Sequence, residues 1–170
     1  AQDKQFRQMN RINDFHARLM KIISRREYLE RADREYASFS HTTKTILESR
    51  SLFGQHILGA VGELIRVPPK YTAAAEVALG SSVSYIVTDT SRSAGDVITW
   101  LKKNNLGRTT FYPLESMRPR GNDGNERKAC SEKGIHGIAS ELFFCDEEYS
   151  DLMDFILGKT LIAENLDIAR

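Results

Sequence analysis

The sequence GAVGELIRVPPKYTAAAEVALG at residues 59–80 returns in altered form as GIASELFFCDEEYSDLMDFILG at residues 137–158. With a constant offset of 78, six of the 22 aligned positions are identical, among them Tyr71 with Tyr149 and Gly80 with Gly158. The identities fall at a predicted strand entry, in mid-helix and at a predicted helix end. We therefore predict a duplicated strand–helix–strand–helix unit, in which each copy needs the other to cover its apolar faces.

The duplication continues beyond these two stretches. After a shortening of three residues, YIVTD at 85–89 aligns with TLIAE at 160–164. The first copy then continues through an amphipathic helix predicted at 91–104 and a strand at 109–112, whereas the second copy stops at the start of the equivalent helix. We expect about 20–30 further residues to be needed to complete it, and a sheet edge to be left uncovered.

Three segments complete the coarse assignment of the glycine-containing part. The apolar run GELIRV at 62–67 opens the unit as its first strand and is stopped by two prolines. An alanine-rich helix is expected at 71–79 and a strand at 83–88, which is rich in β-branched and aromatic residues. Residues 115–134 combine glycine, proline and many charges, which predicts a mobile loop.

The first 53 residues differ sharply from the rest, because all eleven glycines and all four prolines lie at or after Gly54. Residues 1–50 carry eleven Lys/Arg against seven Asp/Glu, and residues 51–170 carry thirteen against sixteen. This shift predicts a boundary near Ser51. The opening is expected to be a long coiled-coil helix, and a helical hairpin with a turn at 38–43 is the alternative. The seam is interrupted by Arg26 and Asp33, and its apolar members are Ile12, Phe15, Leu19, Ile22, Leu29 and Tyr36.

Composition excludes several broad classes of protein. The chain has 170 residues, 41 % of them hydrophobic, and a formal net charge of +1, so it is neither disordered nor strongly basic. No apolar run approaches the roughly 18 residues that a membrane span needs. Cys130 and Cys145 form no disulfide framework and no zinc motif. These features predict a reducing, cytoplasmic compartment and no membrane partner.

Catalytic motifs are missing from the sequence. There is no GxxxxGK[ST], GxSxG or HExxH pattern, and the four histidines have no ligand-type spacing. Glu63 and Glu141 recur at equivalent positions, which suggests a shared structural role, such as bonding the backbone near a turn. The sequence therefore predicts no catalytic residue, no metal site and no cofactor.

Two groups of residues are candidates for interaction. We expect Gly80 to cap a helix with positive φ, and Gly59 and Gly62 to permit a close approach, either within the chain or across a dimer. The segment from 102 to 128 holds seven basic residues against three acidic ones. These are either solvated partners of a helix dipole or contacts to phosphates in a sequence-nonspecific, salt-sensitive DNA surface, to which Arg18, Lys21, Arg25 and Arg26 of the arm could add. The candidate DNA-binding residues are Lys102, Lys103, Arg108, Arg118, Arg120, Arg127 and Lys128.

The stretches at 58–120 and 137–169, with ALG, LGRTTFYPL and LGKTLIAENLDIA in this order, resemble the bacterial hinge domain of structural maintenance of chromosomes (SMC) proteins. The resemblance implies an α/β (α+β) fold of two pseudo-repeated small subdomains of mixed sheet and helices, preceded by a long coiled-coil helix. Its divisions would be an arm at 1–50, subdomain I with a linker at 51–134, and subdomain II at 135–170. The glycine-rich stretch that this family has late in subdomain II lies at its dimer contact, and this sequence stops before it. The resemblance therefore implies a homodimer through the hinge, and we expect that dimer to be weakened.

The resemblance also implies a function. SMC hinges dimerise and join two coiled coils, each with an antiparallel return arm, whose far ends carry ATPase heads; the hinge itself has no nucleotide site. The family serves chromosome condensation and segregation in the nucleoid, with DNA engaged near the hinge–coil junction. From the residues alone, two alternatives stay open: a coiled-coil-tethered α/β sensor of small molecules, and an adaptor whose α/β part binds only protein.

Overall fold

The computed structural model describes residues 15–16, 18–26, 39–119 and 124–169. The chain divides into two units, Ala1–Ser38 and Phe39–Arg170. In the first unit, residues 18–26 are helical, and the side chains of Phe15, Leu19 and Ile22 are each more than half exposed. A helix with an exposed apolar stripe is suited to pairing with another helix. The seam positions Ile12, Leu29 and Tyr36 lie outside the described residues, as does the predicted hairpin turn as far as residue 38.

The second unit begins earlier than the sequence suggested. Its first helix, α1 (His41–Glu48), is capped by Ser40, whose side-chain oxygen accepts a hydrogen bond from the Thr43 N–H. This helix buries Ile46 and Leu47 in the unit, whereas the sequence assigned residues up to 50 to the arm. A serine cap starts a new helix without glycine or proline, so composition alone gave no sign of it.

The first copy comprises residues 57–113 and contains a three-stranded sheet. Its strand order is β1-β2-β3, with β1 antiparallel and β3 parallel to β2. Its elements, with the 3-10 helices that flank them, are 3-10 Arg50–Phe53, β1 (Ile57–Ala60), α2 (Val61–Leu64), 3-10 Pro69–Tyr71, α3 (Thr72–Leu79), 3-10 Gly80–Ser84, β2 (Ile86–Thr88), α4 (Ser91–Asn104), β3 (Phe111–Pro113) and 3-10 Leu114–Ser116.

The second copy comprises residues 135–163 and contains an antiparallel pair of strands, β4 and β5. Its elements are β4 (Ile135–Ile138), α6 (Ala139–Leu142), 3-10 Glu147–Tyr149, α7 (Ser150–Leu157) and β5 (Leu161–Ala163), preceded by α5 (Asn125–Ala129). Every element from β1 to α3 recurs 78 residues later with the same length, so the predicted duplication is confirmed.

Two local predictions were wrong. The run at 62–67 is not the first strand of the unit, because the strand is β1 and one helical turn, α2, follows it. Residues 115–134 are not all loop, since they contain α5. In α2, the Glu63 carboxylate reaches back to accept a hydrogen bond from the Ala60 N–H at 2.8 Å. That contact satisfies a donor at the helix start and favours the helical turn over a strand.

The two copies share one core and meet at equivalent residues. Arg66 and Phe144, which are 78 positions apart, exchange two backbone hydrogen bonds of 2.7 and 2.9 Å. The Arg66 guanidinium also lies 2.6 Å from an Asp146 carboxylate oxygen. A pseudo-two-fold axis therefore passes between these residues. The shared core is built from Val61, Ile65, Tyr71, Ala75, Leu79, Val87, Met117, Ala139, Phe143, Leu152, Met153, Leu157 and Ile162.

Candidate functional site

Gly59 and Gly62 approach atoms of their own chain. A Cβ on Gly62 would lie 2.7 Å from Val83 Cγ2 and 2.9 Å from Phe39 Cε1. Helix α2 can therefore pack this closely against Val83 and Phe39 only because residue 62 has no side chain. Gly59 has φ +150°, and a Cβ there would lie 3.0 Å from Glu63 Oε2. These contacts give both positions a packing role within the chain.

Gly80 is placed differently. It ends α3 with φ +49° and ψ −128°, so it has the positive φ that the sequence predicted at this helix end. A Cβ on Gly80 would meet no heavy atom within 4 Å. Its glycine is therefore required by backbone conformation and not by a close neighbour.

Two of the predicted cations line one groove. Lys102 lies in the last turn of α4, Asn105 ends that helix with φ +53°, and the chain turns to place Arg108 just before β3. Lys102 and Arg108 line a groove of about 370 Å³ with Leu101 and Phe111 as part of its apolar wall. Lys103, next to Lys102 in α4, is also exposed. The C-terminal end of a helix favours positive side chains, so these cations are well tolerated there.

Helix α1 holds the loop that carries Arg108. The Thr42 hydroxyl donates a hydrogen bond of 3.0 Å to the Leu106 carbonyl, and Thr42 itself is buried. Gly107 has φ +88°, and a Cβ there would lie 2.5 Å from Thr42 Oγ1. Gly107 was not among the predicted site residues, although the glycine in LGRTT was a visible signal. This contact fixes the basic groove to the first helix of the unit.

The remaining candidate cations lie elsewhere. Arg118 follows β3 and donates to the carbonyls of Glu115 and Met117. That segment is tied to the first turn of α4, where the Ser91 and Ser116 hydroxyls are 3.2 Å apart, so about 16 Å of helix separates it from Lys102. Arg127 and Lys128 are exposed in α5, which packs on β4 of the second copy. Arg120 lies outside the described residues.

An apolar groove lies between the two copies. It has a volume of about 530 Å³ and is lined by α3 on one side and by β5 with the segment after it on the other. Val77 of α3 is 85 % exposed there, and Leu166 is 68 % exposed. This groove was not predicted from the sequence. The alanines at 73, 74 and 78 were the available signal, because small side chains on one helix face leave room for another element.

Three titratable side chains among the described residues have shifted pKa values. A hydrogen bond from Ser93 and the His56 imidazole, 2.6 Å away, lower the pKa of Asp89 to about 2. Burial raises the pKa of the Cys145 thiol above its usual value. Burial, with Glu148 nearby, raises the pKa of Tyr149 to about 12.

No group of three or more His, Cys, Asp or Glu side chains in the described part of the chain is arranged to hold a metal ion. No described helix is both long enough and apolar enough to cross a bilayer.

Comparisons with known proteins agree with this fold. The Chromosome partition protein Smc of Lactiplantibacillus plantarum is 39 % identical over 147 residues, which are 86 % of this chain and 12 % of that protein. The Bacillus subtilis protein of the same name is 37 % identical over 144 residues, with 84 % and 12 % covered. This chain therefore spans about an eighth of the length of these relatives.

Solved structures and a family model extend the comparison. A crystal structure of an asymmetric dimer of the Geobacillus stearothermophilus SMC hinge domain matches with a TM-score of 0.76 and 36 % identity, over 88 % of this chain and 60 % of that one. The Pyrococcus furiosus SMC hinge domain matches with a TM-score of 0.65 and 29 % identity, over 82 % and 71 %. The model of the flexible hinge domain of SMC proteins matches residues 54–170. The resemblance noted from the sequence is confirmed, and this chain belongs to the SMC hinge domain family.

Proposed function

We propose that this chain is the dimerisation joint of a chromosome-partition SMC protein and that its basic surface engages DNA without sequence specificity. In this proposal the hinge links two coiled-coil arms, each with an antiparallel return arm, and serves chromosome condensation and segregation in the nucleoid. The observation that carries the proposal is the duplicated fold at residues 54–170, which is shared with a hinge domain crystallised as a dimer. The chemistry of the joint is association, and any ATPase activity would belong to separate head domains.

The DNA part rests on the cations at the end of α4. Lys102, Lys103 and Arg108 are exposed, and in the described part of the chain none of them forms an ion pair. Unpaired cations on a rigid surface can replace the counterions condensed on a DNA backbone. The groove beside them has one aromatic wall residue, Phe111, so successive stacking of bases has no support. The expected partner is the phosphate backbone of a duplex.

Sedimentation equilibrium tests the dimerisation part. We expect the chain to form dimers at micromolar concentration, with an apparent mass that rises with concentration. A mass that stays monomeric across that range contradicts the proposal. A monomer that retains a bound metabolite would instead favour the small-molecule sensor.

Fluorescence anisotropy with a labelled duplex tests the DNA part. We expect binding that weakens steeply with salt, and Lys102→Gln or Lys103→Gln should each reduce the slope of log K against log [salt] by about 0.9, the value of one phosphate contact. Arg92→Gln is the matched control, because Arg92 is an exposed cation in the first turn of the same helix. If duplex binding is absent at low salt, or if all three variants behave alike, the DNA surface is not at the end of α4.

A further inference from the structure

A polar pocket of about 380 Å³ lies at the edge of the sheet where the parallel strands β2 and β3 begin. Six hydroxyl side chains and the guanidinium of Arg108 line it, and none of its lining residues is acidic. The Ile86 N–H donates 3.0 Å to the Thr110 carbonyl, which holds the two strand entrances side by side. Residues 81–85 and 108–110, which are distant in sequence, therefore face one space.

Two of the six hydroxyl groups already form hydrogen bonds within the protein. The Thr43 hydroxyl donates to the Ser84 carbonyl at 2.6 Å, so the Ser40 hydroxyl donates to Thr43 Oγ1 at 2.9 Å. Thr109 Oγ1 lies 3.5 Å from the same Thr43 oxygen. Ser40 and Thr109 are thus engaged within the protein and form the wall of the pocket.

The other hydroxyl groups retain protons to donate. Ser84 Oγ accepts from the Ser40 N–H at 3.2 Å, which leaves its own O–H available. Ser81 and Tyr85 share one hydrogen bond of 3.0 Å, so one of their two protons is not used by the pair. In the described part of the chain, neither the Thr110 hydroxyl nor the Arg108 guanidinium has a side-chain partner. The pocket therefore has an excess of donors and one positive charge.

We propose that this pocket binds one phosphate group, through Arg108 and the hydroxyls of Ser84, Thr110 and the Ser81–Tyr85 pair. A tetrahedral oxyanion accepts several hydrogen bonds at once, and an arginine fork matches its geometry. The same group can come from free phosphate or from the backbone of a nucleic acid. In the second case the pocket rests on the proposed function, with Arg108 contributing to both the pocket and the neighbouring groove.

Titration of the isotope-labelled chain with inorganic phosphate, followed by amide NMR at constant ionic strength, tests the pocket. We expect shifts confined to residues 81–86 and 108–111, and about tenfold weaker binding in Arg108→Gln, the usual effect of losing a charged hydrogen bond. Tyr85→Phe should weaken binding by about threefold, because it removes one hydroxyl. This substitution keeps the aromatic ring at position 85, which packs on Tyr112 with centroids 5.5 Å apart, so we expect the variant to fold. Arg92→Gln, the matched charge control, should bind phosphate like the parent chain.

Absence of shifts at these amides, or identical titrations for Arg108→Gln and Arg92→Gln, overturns the pocket. A second titration with duplex DNA separates the two sources of phosphate. Shifts of the same amides identify a backbone phosphate as the ligand, whereas duplex binding that leaves them unmoved assigns the pocket to free phosphate. Because anisotropy measures DNA binding independently, the failure of the pocket and the failure of the DNA surface are distinguishable.

Discussion

The two copies of the repeat share a strand, a helical turn, a second helix and a second strand, but they differ in what covers the outer face of that second helix. Phe155 of α7 packs edge-on against Tyr112 of β3, with ring centroids 5.8 Å apart. The equivalent residue of α3, 78 positions earlier, is Val77, which is 85 % exposed. The third strand of the first copy thus covers a helix of the second copy. The described part of the second copy has no third strand that could cover α3 in the same way.

The copies also diverge in side chains where their backbones agree. The Asp89 N–H donates to the His56 carbonyl at 3.2 Å, and the Glu164 N–H donates to the Gly134 carbonyl at 2.8 Å. Because these pairs are equivalent in the repeat, the backbone hydrogen bond is repeated while the His–Asp side-chain pair occurs in the first copy alone. Topology is therefore set by backbone bonds and buried positions, and the exposed side chains are free to give each copy its own surface.

The largest expected difference concerns the covered and uncovered helix faces. Phe155→Ala should lower the free energy of unfolding by about 2 kcal/mol, less than for a fully buried phenylalanine, since Phe155 is half-buried. Val77→Ala should change it by less than about 0.5 kcal/mol, because Val77 is already in water. Urea denaturation followed by circular dichroism measures both variants. Equal losses would show that the groove beside Val77 is covered in solution.

A somewhat smaller effect is expected from exchanging the residues at the start of α2 and α6. Gly62→Ser places a side chain within 3 Å of Val83 and Phe39, and should destabilise the fold by about 1.5 kcal/mol through overpacking. Its counterpart Ser140 shows that the second copy accommodates a side chain there. Ser140→Gly should cost only about 0.5 kcal/mol, from helix propensity. Thermal unfolding of both variants makes the comparison, and a harmless Gly62→Ser would mean that the copies pack alike.

The duplication could be predicted because it depends on matched positions that survive in one sequence. The constant offset located α3 and α7 and the shortened link to β2 and β5. Local features were harder, since a short apolar run such as 62–67 fits a strand or a buried helical turn equally well. The capping contact of Glu63 favours the helical turn α2, and that of Ser40 starts helix α1. Both contacts depend on side-chain geometry that the spacing of residues does not reveal.

The candidate site was predicted in part. Lys102 and Arg108 are close enough in sequence for their shared groove to follow from a helix end and a short loop. The hydroxyl pocket could not be predicted, because it requires the starts of β2 and β3 to meet although a long stretch of chain, mostly α4, lies between them. The surface near Val77 depends on which copy supplies a third strand. Such features arise from tertiary packing between segments that carry no local signal.

The smallest expected effect tests the His56–Asp89 pair. Because the folded-state pKa of Asp89, about 2, is below its usual 3.8, the carboxylate stabilises the folded chain above pH 3.8, and this contribution is lost as the pH falls towards 2. Asp89→Asn should therefore lower the free energy of unfolding at neutral pH by about 1 kcal/mol, since water and salt weaken so exposed an interaction. The deficit relative to the parent chain should vanish near pH 2.

Glu164→Gln is the matched control in the second copy. It removes a carboxylate at the equivalent position, but residue 134 is glycine, so no histidine stands where His56 does. Urea denaturation at a series of pH values from neutral to 2 should show a pH-dependent deficit for Asp89→Asn and little change for Glu164→Gln. Equal deficits would mean that the charge at this strand end matters in both copies. In that case His56 is incidental, and the copies resemble each other more in electrostatics than their side-chain contacts indicate.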